Sequence, residues 1–287
     1  MKRSWLTPFS IPTLSNGLLY LVLVLAWTWF FLMVAVLLGD DATLFPTSLL
    51  RIVAGLGPLV IALVMMKFRP DGEPFQAYWQ RLLNWRSIPR PVLLISILFQ
   101  PIAAALGILT AGFIAPLPFT RQDVIGVVVN PGALLWLVVF TFFFGPLPEE
   151  LGWRGYGLPR LQSKWRPLSA SLLLGLVWNL WHLPLFFLPG TYQFELIFAS
   201  PRFWLFAINL MSQSILMTAL LNASNGATLT AILFHYMTNL TGEVLHLPWR
   251  AEAAWSVWTL LAATIVAVIW IVTPRQENPA DPPAPDN

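Results

Sequence analysis

The 287-residue sequence contains no cysteine and only three histidines. Disulfide bonds, thiolate nucleophiles and cysteine-based metal sites are therefore excluded, while the redox compartment stays undetermined. Any catalytic chemistry must rest on histidine and carboxylate side chains.

Charged residues are also scarce, at 10% of the chain, whereas 57% is hydrophobic and the mean hydropathy is +0.70. Such a balance lies outside the range of soluble domains. The apolar residues form blocks of about 20, which is the length of a helix that crosses a hydrocarbon core of about 30 Å. They do not alternate with polar residues, as the strands of a barrel would. The sequence therefore predicts an all-α, polytopic transmembrane helical bundle.

About eight spans are expected, because eight apolar segments can be marked. Lys2 and Arg3 precede the first segment as in a signal peptide, but no cleavage site follows, so we expect a retained span. Aromatic residues and leucines mix with arginines over 75–85, which predicts an amphipathic helix at the membrane interface. The polar, proline-rich residues 274–287 are predicted to be a disordered cytoplasmic tail after one membrane-embedded domain, 1–273. The predicted spans are 18–38, 48–66, 91–114, 133–149, 168–188, 203–221, 226–241 and 254–273.

The net charge of +3 and the pI near 9.5 do not indicate a nucleic-acid partner, because the basic residues lie in short loops between apolar blocks. Their distribution is instead a topology signal. With the N-terminus inside, twelve of the sixteen lysines and arginines, Arg154 among them, fall on the cytoplasmic side. The sequence therefore predicts an integral protein of the plasma membrane with both termini in the cytoplasm.

A few polar side chains fall inside or at the ends of the predicted spans, where each costs several kcal/mol and indicates function. Glu150 and Arg154 are four residues apart on one helical face and can form an ion pair, while Glu149 points about 100° away. His235 and Asn239 have the same spacing, and His182 shares its face with Trp178. The polar set is Glu149, Glu150, Arg154, His182, His235 and Asn239.

These residue types suit hydrolysis by water. A carboxylate near an imidazole can take a proton from a water molecule that attacks a carbonyl, and His and Asn donors can stabilise the oxyanion. A cytoplasmic loop at 152–167 would form the rim of the cavity. Because Glu149 lies near the inner end of its span and His182 well inside its own, either the fourth helix continues through Leu151 to Tyr156, or the fifth starts later or tilts. Alternatively, Glu149, His182 and His235 could bind Zn²⁺ through nitrogen and oxygen atoms.

Three motifs resemble those of the CPBP intramembrane proteases, a family that includes the type 2 CAAX prenyl endopeptidases and bacteriocin-processing relatives. The first is Glu-Glu-x-x-x-Arg from Glu149 to Arg154, the second runs from Trp178 to His182, and the third is His-x-x-x-Asn from His235 to Asn239. They cover about residues 140–241, within a protease core of about 90–245.

The resemblance implies an intramembrane endopeptidase without a metal cofactor, which cleaves a peptide or protein near the cytoplasmic face, for example a prenylated protein or a leader peptide. It makes Glu149 the water-activating base, assisted by His182, and gives His235 and Asn239 the roles of oxyanion donors or substrate positioners. Glu150 and Arg154 would be structural support. Trp178 lies at a position where the family usually has phenylalanine. This position is predicted to form an aromatic wall of the site, so we expect the replacement of phenylalanine by tryptophan to have little effect.

A hypothesis from another class stays open at this point. A non-catalytic transporter, immunity factor or scaffold could use the same buried polar cluster for ion binding or helix packing.

Overall fold

The computed structural model describes residues 15–68, 74–117 and 130–273. Within these ranges every regular element is helical and no strand occurs, so the predicted all-α class is confirmed. The predicted tail, 274–287, and the basic residues Lys2 and Arg3 lie outside the described residues.

The α-helices follow one another closely along the chain, with two 3₁₀ turns at Trp85–Ser87 and Leu183–Phe187 and one π-helical segment at Trp153–Gly157. In chain order they are α1 (Asn16–Leu38), α2 (Thr47–Gly55), α3 (Gly57–Phe68), α4 (Phe75–Leu83), α5 (Arg90–Ile114), α6 (Pro131–Phe144), α7 (Pro146–Gly152), α8 (Leu158–Gln162), α9 (Pro167–His182), α10 (Tyr192–Glu195), α11 (Pro201–Ala223), α12 (Leu229–Leu245) and α13 (Trp249–Val272).

Six stretches of the described chain are long and apolar enough to cross a membrane, and a seventh is formed if α2 and α3, bent by 48°, count as one span. The seventh predicted segment, 226–241, is helical as α12, but the 17 residues of this helix fall short of the roughly 20 needed for a full crossing. Large apolar side chains on the outside of the bundle are strongly exposed, as at Phe113 and Leu37, and form the surface toward lipid. The protein is an integral membrane protein.

The fourth segment is not one straight helix. The helix is interrupted at Gly145, and α7 begins at Pro146, with Pro146 and Pro148 in its first turn, where proline is well tolerated. From α7 the helix continues through the π-helical segment into α8, to Gln162.

The prediction of a cytoplasmic loop at 152–167 is therefore wrong for most of this range, because residues 152–162 are helical and largely buried. Trp153 and Tyr156 pack their rings against Tyr20 of α1, at centroid distances of 5.9 and 5.0 Å. Arg154 suggested a cytoplasmic loop, but its side chain is fully buried in the core.

The predicted amphipathic helix is present as α4, and it packs against the π-helical segment. Tyr78 donates a hydrogen bond to the Leu151 carbonyl oxygen at 2.8 Å, and Arg81 donates one to the Gly155 carbonyl oxygen at 2.9 Å. A π-helical turn disturbs the regular hydrogen bonding of an α-helix, and these two side chains bind its carbonyl groups. Helix α4 thereby supports the turn that carries the Glu-Glu-x-x-x-Arg motif.

Helix α7 approaches α3 closely at Gly152. A Cβ atom at Gly152 would lie only 2.3 Å from the Pro58 carbonyl carbon, so no larger residue fits without a shift of the backbone. This contact places the C-terminal end of α7 directly against α3.

Candidate active site

Glu150 is the buried centre of the polar cluster, with a side chain that is 0% exposed. Its Oε1 atom accepts hydrogen bonds from Arg154 Nη1 at 2.9 Å and from His235 Nδ1 at 2.8 Å. The pair with Arg154 is the one predicted from the i, i+4 spacing. The bond to His235 joins α7 to α12 across 85 residues of sequence, and helical spacing could not predict it.

The positive charge of Arg154 is compensated from two sides. Its guanidinium group lies 4.8 Å from the centre of the Trp178 ring, in addition to its bond with Glu150. A cation over an indole face is stabilised by the ring quadrupole, and more so when both are desolvated. Arg154 therefore connects the acidic centre of the cluster to α9.

Glu149 points away from this ion pair, as the 100° offset predicts. It lies in the first turn of α7, is 7% exposed, and accepts a hydrogen bond at its Oε2 atom from Trp178 Nε1 at 3.0 Å. Glu149 thus accepts a hydrogen bond from a neutral donor, whereas Glu150 binds a cation. Trp178 presents its ring to Arg154, as an aromatic wall would, and also supplies a hydrogen-bond donor that phenylalanine lacks.

His182 ends α9 and remains partly exposed. Its Nδ1 atom lies 2.8 Å from the Trp178 carbonyl oxygen, which can only accept, so Nδ1 carries the proton. In the neutral ring Nε2 is then the free acceptor. The rings of Trp181 and Phe206 pack edge-on against His182 at 4.6 and 5.4 Å and fix its orientation.

Glu149 and His182 are connected through Trp178 and not by a direct bond in the described part of the chain. The indole N–H of Trp178 binds Glu149, and its backbone carbonyl binds His182. The predicted proximity of carboxylate and imidazole therefore depends on a third residue, which binds both.

His235 and Asn239 lie one turn apart on α12. His235 is 4% exposed, while Asn239 is partly exposed. The Asn239 amide nitrogen would lie 3.5 Å from a Cβ atom at Gly145, so the glycine at the helix break leaves space beside this amide. Gly145 was not singled out in the sequence; its place before Pro146 within an apolar segment was the available signal.

The cluster lies near the middle of the bundle. Trp181, next to His182, donates a hydrogen bond at 2.8 Å to Thr28, the thirteenth of the 23 residues of α1. Thr28 is roughly 18 Å along that helix from its start. Glu149 reaches this depth because α7 is a new helical segment inside the bundle and not the inner end of a span.

The alternative zinc site needs Glu149, His182 and His235 as a converging set. Across the described ranges, no group of three His, Asp or Glu side chains is arranged to hold a metal ion. In this arrangement the three side chains do not converge as the ligands of a zinc ion would.

Comparison with known proteins supports a hydrolytic site. The profile of the family described as "Type II CAAX prenyl endopeptidase Rce1-like" matches residues 131–241, which contain all three motifs. The curated protein "CAAX prenyl protease 2" of Methanococcus maripaludis is 28% identical over 236 residues, covering 80% of this chain and 85% of the relative. The non-catalytic hypothesis is set aside on these grounds. Residues 131–241 are thus similar to the Rce1-like type II CAAX prenyl endopeptidases, and the chain is an intramembrane endopeptidase.

Proposed function

We propose that this enzyme cleaves prenylated CAAX proteins by direct attack of a water molecule that Glu149 deprotonates, without a metal ion. The observation that carries the proposal is the different environment of the two adjacent glutamates. Glu150 binds Arg154 and His235 and has a structural role. Glu149 accepts a hydrogen bond from a neutral donor and can take up a proton.

In the proposed reaction a water molecule lies between the Glu149 carboxylate and Nε2 of His182. Glu149 takes one of its protons while the water oxygen attacks the peptide carbonyl carbon. The carbonyl oxygen becomes an oxyanion, the C–N bond breaks, and the proton held by Glu149 passes to the leaving amine. His182 accepts a hydrogen bond from the water and orients it.

The oxyanion requires donors, and we assign this role to Asn239 and His235 on α12. The Asn239 amide carries N–H groups in any charge state. His235 Nδ1 faces Glu150, so Nε2 can donate only when the ring is an imidazolium or Glu150 is protonated. The carboxylate of Glu150 is a suitable counter-ion for the imidazolium, and donors aimed at developing charge are the strongest contributors to such reactions.

The substrate class comes from the name of the relative, a CAAX prenyl protease. The proposed substrate class can be tested with a matched pair of peptides, one prenylated and one unprenylated. The purified enzyme is placed in lipid nanodiscs, and cleavage is measured by mass spectrometry. We expect cleavage of the prenylated peptide, a much lower rate for the other, and no loss of rate with a chelator. Preference for an unprenylated leader peptide would overturn the substrate class, and loss of activity that zinc restores would overturn the metal-free mechanism.

We further propose that the enzyme lies in the plasma membrane with both termini in the cytoplasm and accepts its substrate from that side. The support is the excess of basic residues at one end of the bundle, near Ser163. Because the chain lacks cysteine, single cysteines can report sidedness. In intact cells, a membrane-impermeant maleimide should label Thr43→Cys, and should label Ser163→Cys only after permeabilisation. The reverse pattern would refute this orientation.

A further inference from the structure

Trp178 contacts four charged or titratable members of the polar cluster, namely Glu149, Arg154, His182 and His235. Its indole N–H binds Glu149 at 3.0 Å, and its carbonyl oxygen binds His182 at 2.8 Å. Its ring lies 4.8 Å from the Arg154 guanidinium and meets the His235 ring edge-to-face at 5.1 Å. The side chain is 2% exposed, so water does not compete for these contacts.

Only one of these contacts depends on the residue being tryptophan. Phenylalanine would keep the backbone carbonyl for His182 and a ring face for Arg154, but it has no N–H to offer Glu149. A donor to a carboxylate forms a charge-assisted bond, which favours the anion and fixes its orientation. With Oε2 of Glu149 held in this way, Oε1 is the oxygen that can accept a proton from water.

We infer that Trp178 is a positioning residue for catalysis, acting through its indole N–H on the carboxylate of Glu149. Its N–H and its carbonyl together fix the base and its imidazole partner in one geometry. Proximity effects of this kind contribute to rate only if the reacting groups stay aligned. This inference rests on the proposed role of Glu149 as the base.

The direct test is Trp178→Phe, assayed on a prenylated CAAX peptide in lipid nanodiscs. Loss of a hydrogen bond to a charged group lowers kcat by about tenfold to a hundredfold. KM should stay within about threefold of the wild-type value, because the indole N–H holds the base and not the substrate. A general loss of packing would move KM and stability together with kcat.

Trp255→Phe is the matched control. Trp255 is also buried, at 7% exposure, and its indole N–H donates a bond of 2.8 Å to Gln100 on α5, outside the cluster. The Trp255→Phe variant therefore loses the same atoms as Trp178→Phe and a comparable buried hydrogen bond. We expect it to retain the wild-type kcat, even if its melting temperature falls as far as that of Trp178→Phe.

A second variant separates the N–H from the ring in case Trp178→Phe folds poorly. Benzothienylalanine, introduced at position 178 by codon suppression, has the shape of tryptophan with sulfur in place of N–H, so the stacking of Arg154 is kept. We expect the same fall in kcat. Wild-type kcat in this variant, or an equal fall in Trp255→Phe, would overturn the inference. If either result is found while Glu149→Gln is inactive, only the role of Trp178 is overturned, and Glu149 remains the proposed base. An active Glu149→Gln enzyme would instead overturn the proposed function itself.

Discussion

Replacement of Glu149 by glutamine is expected to lower kcat by about a hundredfold to ten-thousandfold, the usual contribution of a general base. Glutamine has almost the shape of glutamate, and its amide oxygen can still accept the bond from Trp178 Nε1. The amide cannot take a proton at working pH. Activity should therefore disappear while the melting temperature stays near that of the wild type.

Glu252→Gln is the control for this result. Glu252 is a carboxylate near the start of α13 that binds Tyr192 and Arg202, and it has no contact with the cluster. Its variant should cleave the same peptide at close to the wild-type rate. If Glu149→Gln were equally active, Glu149 could not be the base; if Glu149→Gln unfolded, its loss of activity would carry no weight and Glu149→Asp would be measured in its place.

The second large effect concerns stability. Arg154→Met is expected to lower the free energy of unfolding by about 3–5 kcal/mol, because it leaves a buried carboxylate without its cation. Glu150 is fully buried, and in this variant it would keep its bond with His235. The measurement is a denaturation curve of the purified protein in detergent.

A double variant distinguishes a charge effect from a packing effect. Adding Glu150→Gln to Arg154→Met removes the unpaired charge, so the double variant should be more stable than Arg154→Met alone. The pair of Arg202 and Glu252, which is partly exposed and has an N–O distance of 3.7 Å, supplies the comparison. Arg202→Met should cost at most about 1 kcal/mol. Equal losses for the two arginines would contradict the buried pair as a structural centre.

The architecture could be predicted from the sequence where the signal is local. Blocks of about 20 apolar residues predicted the long helices, and aromatic residues mixed with arginines predicted α4. The break at Gly145 was missed, whereas continuation of the helix through Leu151 to Tyr156 was one of the predicted alternatives and is present in the structure. A buried arginine looks like a loop residue until its partners are known, and those of Arg154 include Trp178 on a separate helix.

The site shows the same division. The pair of Glu150 and Arg154 follows from a spacing of four residues on one helix, and the structure contains it. The bond from His235 to Glu150 and the bond from Trp178 to Glu149 join different helices, 85 and 29 residues apart. These bonds form because of the way α7, α9 and α12 pack against one another. The residue spacing within a single segment does not predict that packing.

The central claim, that water deprotonated by Glu149 attacks the peptide bond directly, is tested most directly by a single turnover in H₂¹⁸O with enzyme dialysed against chelator. The quenched mixture is measured by intact-mass spectrometry. Direct hydrolysis predicts one ¹⁸O atom in the new carboxyl group and an enzyme whose mass does not change at any time. An enzyme carrying the mass of the acyl fragment, or cleavage that stops when metal is removed, would contradict it.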